Sequence, residues 1–352
     1  MTMLADEYEF VIGGDPDRDT VDLAIVDTAT GSVRAHLVSS ADGMEYAHML
    51  GWVRHHAPGR RVWALEGPGS FASGLADALA RAGEDVVEVG GLKRIRGPKN
   101  DRLDAVRAAR TALGREHQAS PRARGLREAI RALTAAVLVS RTKAINELKS
   151  LIVVAPEHLR ATMRGLSLTK QLARIEAVGT VESATIEHRI TVLTLQSITT
   201  RIRFLTRQLA ELDPELFRLL RQHPAGPALL AQPGVGPVVA AQLLLSWSHP
   251  GRVRNEAAFV SLAGVAPLEA SSGQRTRDRL NRGGDRALNR ALHTVAITRM
   301  RCHPETRAYE IKRRAEGQTH RDIRRCLKRT LARKVYRVME AATRTNTLPA
   351  TD

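Results

Sequence analysis

Four carboxylates and a pair of hydroxyls carry the chemistry legible in this chain. Asp15 closes the apolar run Phe10-Val11-Ile12-Gly13-Gly14, and Glu66 follows the strand-like Arg61-Val62-Trp63-Ala64-Leu65. Asp101 and Asp104 stand three apart, so on a helix they share one face. A lone acid at a strand end is an ordinary turn residue, and an acid in a first helical turn is favoured by the helix dipole. Neither explanation covers all four. Carboxylates brought together repel unless a cation lies between them, so the set reads as metal-holding. The hydroxyls belong to Ser271-Ser272-Gly273, beside Arg275, Arg277, Arg279 and Arg282. A Ser-Ser-Gly segment alone is only a loop. Crowded by arginines, it has the setting that a phosphate-attacking hydroxyl requires.

The elements that must position these groups follow from periodicity. Two apolar runs end at Asp15 and Asp27, Val33 to Val38 returns as a third strand, and Gly43 to His55 reads helical. Arg61 to Glu66 is a fourth strand, Ser70 to Ala82 a helix and Asp85 to Val89 a fifth strand. The order βββαβαβ suits a mixed sheet flanked by helices, with working groups at strand ends. Asp101 to Leu113 follows as a helix, which closes an α/β domain spanning 8–115. Residues 121–213 are helical by pattern: Arg122 to Leu151 reads as one long basic helix. Leu195, Ile198, Ile202, Leu205, Leu209 and Leu212 form a heptad seam that is expected to stop at Asp213-Pro214. Such a seam serves an intramolecular hairpin or a dimerising coiled coil equally well.

A mostly helical C-terminal domain, 225–341, comes next. Gln232-Pro233-Gly234-Val235-Gly236 opens an Ala-rich helix and resembles a helix-hairpin-helix module. In such a module backbone N–H groups at Gly234 and Gly236 meet a nucleic-acid phosphate, although a merely structural tight turn has the same signature. Asp285 to Arg301 and Thr319 to Ala341 read as helices, and 342–352 as a loose tail.

Charge selects the partner. The 352 residues carry a net +17 with a sequence pI near 10.9. Between Arg299 and Arg337 fourteen Lys or Arg face four acids. A polyanion, nucleic acid first, is therefore expected, and with aromatics at 3% its contacts rest on Arg and Lys against phosphates. The basic helices lack the Trp/Phe-rich face of a membrane-surface helix. Cys302 and Cys326 are the two cysteines, Met1 to Phe10 has neither the basic nor the apolar region of a secretory leader, and no apolar run is of bilayer length. The expectation is a soluble, intracellular protein in a reducing setting.

Taken together, Asp15, Glu66, Asp101, Asp104, Ser272-Gly273 and the Gly-Asp-x-x-Leu segment at Gly284 to Leu288 resemble the DEDD transposases of insertion sequences. These are relatives of the Piv invertase, some of them guided by a bridge RNA. The resemblance runs from Phe10 to Tyr336. It implies an N-terminal RuvC-like domain of ribonuclease H type holding Mg²⁺, one ion or two, on the four acids. It also implies a C-terminal transposase domain whose nucleophile is Ser272, with Ser271 the fallback. The sequence departs from the family pattern at Gly14, where Ile is usual, and at Gly67-Pro68-Gly69, where Thr-Gly is common. Asn100 replaces a frequent Thr, and Asn289 a frequent Arg.

A serine hydroxyl is a weak nucleophile and a phosphodiester repels it, so both need help from divalent metal. The resemblance implies DNA cut and rejoined through a covalent phosphoserine. The acids and the serine would meet within one chain or across a homodimer that assembles to a tetramer on DNA. The competing expectation is a structure-selective nuclease, such as a junction resolvase, in which the acids activate water.

Overall fold

Alternation along the N-terminal strands sorts their side chains onto two faces, and each face finds a helical cover. A computed structural model describes residues 3–67, 69–90, 101–114, 119–122, 124–135, 139–179, 185–269, 278–281 and 283–345. After a short helix α1 (Leu4–Glu7) come β1 (Phe10–Pro16), β2 (Thr20–Asp27), β3 (Val33–Ser40), α2 (Gly43–His56) and β4 (Arg61–Glu66). Then follow α3 (Ser73–Arg81), β5 (Asp85–Val89) and α4 (Asp101–Leu113). The sheet order is β3-β2-β1-β4-β5. Strands β1, β2 and β3 pair antiparallel, while β4 runs parallel to both β1 and β5.

One face carries Ile12, Leu23, Ile25, Trp63 and Leu65 against Met49 and Val53 of α2 and Leu75 and Leu79 of α3. Full burial of each such large side chain contributes about 2 kcal/mol. The other face presents Val11, Val26, Val62 and Ala64 to Ala109 and Ala112 of α4, with Ala24 against Ala105 and Val106. Asp42 starts α2 by accepting from the Met44 and Glu45 amides at 3.0 Å.

Contacts divide the chain into two units, Met1–Gly125 with Trp247–Leu262, and Leu126–Ser246 with Ala263–Asp352. In the first unit, α12 (Glu256–Leu262) and the segment before it close on the edge of β5. There Arg252 Nε lies 3.0 Å from Glu88, and His249 Nε2 is 2.9 Å from the Ser120 carbonyl.

The second unit is helical. Helix α5 (Leu126–Thr134) is followed by α6 (Ser140–Val154), α7 (Glu157–Met163), α8 (Leu168–Glu176) and the 37-residue α9 (Ile186–Gln222). Helix begins at Leu126, not Arg122, because Gly125 lies at φ +125°, outside helical backbone. Leu195, Ile198 and Ile202 of the heptad seam bury against Ala144, Leu148 and Ile152 of α6 and Leu172 and Ile175 of α8, so this part of the seam serves an intramolecular hairpin.

The expected stop at Asp213-Pro214 does not occur. Helix α9 runs through Pro214, and Leu216, Leu219 and Leu220 are buried beyond it. Their burial offsets the hydrogen bond that proline cannot donate. The unit continues with α10 (Gly226–Leu230), α11 (Pro237–Trp247) up to Ser246, a hairpin of β6 (Pro267–Glu269) and β7 (Asp278–Leu280), α13 (Arg286–Cys302), α14 (Pro304–Ala315) and α15 (His320–Thr345). Among the described residues no helix is long and apolar enough to cross a membrane.

Candidate active site

The acids are placed by strand register. Asp15 pairs directly with Asp22 across β1 and β2, and Glu66 is the next residue after the Gly14↔Leu65 pair of β1 and β4. By alternation Asp15 follows Val11 and Gly13, Asp22 precedes Ala24 and Val26, and Glu66 follows Val62 and Ala64. All three therefore belong to the sheet face covered by α4. All three are half-buried.

Helix α4 runs against the direction of β1. Its Ala109 and Ala112 meet Val11, whereas Ala105 sits over Gly13. Its first turn, with Asp101 and Asp104, consequently stands at the strand ends where Asp15, Asp22 and Glu66 emerge. Gly13 permits this seating: a Cβ there would lie 1.9 Å from the Ala105 carbonyl oxygen and 2.8 Å from the Ala109 nitrogen. Asp104 bonds Arg107 in the next turn. The side chain of Asp101 lies outside the described residues.

Among the described residues no three His, Cys, Asp or Glu side chains gather closely enough to hold a metal ion. In donor type the acids still fit a hard divalent cation, which takes carboxylate oxygens. In position, one strand-end row and one helix start supply them.

Two neighbours of this row were not singled out from sequence. Asp22 is the first, and its signal was available as an acid inside the apolar run Val21-Asp22-Leu23-Ala24. Like charges directly opposite in a sheet are destabilising, so the Asp15/Asp22 pair needs compensation. Arg122 is the second. Its Nη2 donates to the Gly69 carbonyl at 2.5 Å, over the turn after Glu66, where Gly67 has φ +60° and accepts from the Ser70 amide at 2.9 Å. A contact spanning 53 residues leaves no mark in sequence spacing.

The departure at Gly14 has a packing reason. A Cβ there would meet Leu65 Cδ2 at 2.6 Å and Leu23 Cδ2 at 3.4 Å, so neighbouring leucines already occupy that volume.

In the helical unit β6 and β7 pair through Glu269↔Asp278, and the chain between them carries Ser271, Ser272, Gly273, Arg275 and Arg277. These five residues and Arg282 lie outside the described residues, as does the side chain of Arg279. The Gly-Asp-x-x-Leu segment has a visible structural task. Asp285 Oδ1 accepts from the Ala287 and Leu288 amides at 2.8 and 3.1 Å, capping α13, and Oδ2 accepts from Ser246 Oγ at 2.7 Å.

The Gly234–Gly236 turn precedes α11. Gly234 has φ +79°, and the space where a Cβ of Gly236 would stand is open. The turn is held from beneath by Arg299, a buried residue whose Nε donates to the Pro233 carbonyl at 2.7 Å. Burial holds that guanidinium below its ordinary pKa, and Glu305 opposes the shift.

An α/β sheet domain with an acidic strand-end row, followed by a mostly helical basic region, is the class of protein these observations define. Comparison with known proteins adds the family. Residues 227–310 match the transposase IS116/IS110/IS902 family. The chain is 33% identical over 155 residues to the insertion element IS110 uncharacterized 43.6 kDa protein of Streptomyces coelicolor, covering 44% of this chain and 36% of that relative. It is 28% identical over 123 residues to the insertion element IS900 uncharacterized 42 kDa protein of Mycobacterium paratuberculosis, covering 33% and 30%. The chain thus spans about a third of the length of the curated relatives it matches. Its segment 227–310 thus carries the domain of that transposase family, and the chain is similar to insertion-element proteins of the IS110 and IS900 elements.

Proposed function

We propose that the chain is the DNA transposase of an insertion sequence, cutting and rejoining strands through a serine-linked intermediate. The observation that carries this reading is that the family match at 227–310 encloses Ser271-Ser272-Gly273, while four acids precede it in the family's order. Asp15, Glu66, Asp101 and Asp104 would hold Mg²⁺, which supplies charge neutralisation at the scissile phosphate. Asp22 lies beside Asp15 and adds negative charge that such a cation would offset.

In the chemical step Ser272 Oγ loses its proton and bonds to phosphorus. The bond from phosphorus to the departing sugar oxygen breaks, and that oxygen takes up a proton. Rejoining reverses this with a new strand's hydroxyl, so bond energy is conserved in the phosphoserine. The arginines around Ser272 neutralise phosphate charge. Guidance by a bridge RNA, a dimer that becomes a tetramer on DNA, and work in the bacterial cytosol complete the reading; they rest on the family resemblance.

Labelled junction DNA incubated with Mg²⁺ and co-expressed flanking RNA tests it on a denaturing gel. Wild type should yield protein-linked DNA, and Ser272→Ala and Asp15→Ala should each lose it by at least about 100-fold. Adduct retained in Ser272→Ala but lost in Ser271→Ala moves the nucleophile by one residue. Cleavage to free ends by Ser272→Ala replaces the recombinase with a water-using nuclease.

A further inference from the structure

Helices α13 and α15 pack together, and along their contact His293, Lys328 and Arg324 lie close enough for their charges to act on one another, while Asp322 on α15 pairs with Arg325. Lys328 Nζ donates to Asn289 Oδ1 at 2.8 Å. Asn289 Nδ2 in turn donates to the Ala263 carbonyl at 2.7 Å, a little before β6 begins. His293 lies one turn beyond Asn289 on α13, and Arg324 one turn before Lys328 on α15, where its Nε donates to the His320 carbonyl. His293, Arg324 and Lys328 are all half-buried. Asn289 therefore does more than fill a position where arginine is frequent. It links an ammonium group to the backbone carbonyls of Ala263 and Gly264, which precede β6 in the chain.

We propose that His293, Lys328 and Arg324 form a binding site for a backbone phosphate of nucleic acid, with Asn289 holding Lys328 in place. Burial and the charges of Lys328 and Arg324 push the His293 imidazole below its ordinary pKa. Burial and the charges of Arg325 and Arg324 do the same to the Lys328 ammonium. Both shifts mark groups whose charged forms are unfavourable in the protein alone and are relieved by an anion. A purely architectural contact between two helices has no use for this: a neutral glutamine would serve Asn289 without the repulsion. A phosphodiester supplies the missing negative charge and accepts several N–H bonds at once. The inference rests on the transposase reading only for the identity of the strand, since any phosphodiester shares the chemistry.

The full-length protein is titrated by fluorescence anisotropy, at several salt concentrations, with a labelled random-sequence DNA duplex and with a labelled RNA hairpin. Lys328→Gln should weaken binding of at least one probe about tenfold and lower the magnitude of its salt slope by about one, the signature of a single lost phosphate contact. His293→Gln should weaken the same probe about threefold. The probe that responds identifies the strand seated there.

Without nucleic acid, Lys328→Gln should melt no lower than wild type, because it relieves repulsion. Arg218→Gln, at a residue paired with Glu215 on α9, should bind like wild type. Wild-type affinity and slope for both probes in Lys328→Gln and His293→Gln overturn the proposal. So does a Lys328→Gln protein that loses melting temperature and affinity together while His293→Gln binds normally, since Lys328 is then a packing residue. Absence of a serine adduct in wild type removes the recombinase reading without altering these slopes.

Discussion

At the scale of single residues, charge and hydrogen bonding explain positions that lie outside the acidic row. Glu84, with a side chain only 5% exposed, accepts from Arg61 at 2.7 Å, Trp63 Nε1 at 3.1 Å and Arg54 at 3.1 Å. Burial pushes its carboxyl up, but the Arg61, Trp63 and Arg54 bonds together outweigh burial and hold it below the usual range. Asp27 at the end of β2 gives a cleaner test. The Arg34 guanidinium at 2.7 Å, with the Thr30 amide and hydroxyl, holds its pKa down to about 2. A carboxylate depressed in the folded state stabilises it above the unfolded pKa, and that contribution is lost as pH falls toward 2. Acid unfolding of wild type should therefore show a limb between about pH 4 and pH 2 that flattens in Asp27→Asn. A limb of equal steepness in both proteins would assign acid sensitivity elsewhere.

The element that matters most to the acidic row is α4. Its alanines at 105, 108, 109 and 112 are buried, and Gly13 beneath them leaves no room for even a methyl group. Gly13→Ala must push the helix off β1 against backbone atoms, which cannot rotate aside. A cost of about 3 kcal/mol is expected, read as a lower urea midpoint of the α/β unit. Gly51→Ala, on α2 where no atom lies within 4 Å of the added carbon, should be neutral or slightly stabilising. Because the first turn of α4 carries Asp101 and Asp104, Gly13→Ala should also weaken adduct formation with Asp15 and Glu66 intact. Helix α9 teaches a related lesson. Pro214 reads as a stop by local rules, yet buried leucines on both sides keep the helix continuous.

Across the whole molecule the net charge of +17 dominates expected behaviour toward polyanions. Each neutralised phosphate contributes a salt slope of about −0.9. Association with random-sequence duplex should therefore weaken by about 1000-fold between 50 and 200 mM salt if at least six phosphates are contacted. A slope near −1 would mean that the basic surface is merely solvated.

Much of this organisation was legible before any coordinates. Strands 61–66 and 85–89, helix 101–113 and the acids at strand ends follow from periods of two and 3.6 and from composition, which are local properties of the chain. The basic charge and the transposase family signature are likewise written in residue types and their order. Tertiary structure alone decided which face each strand turned to α4, and so placed Asp22 opposite Asp15. It seated Arg122 over Gly69, brought residues 247–262 to the edge of β5 and joined Lys328 to Asn289. These outcomes depend on register and on packing between residues far apart in the chain. No local period encodes that information, because the energy resides in the pair and not in either partner.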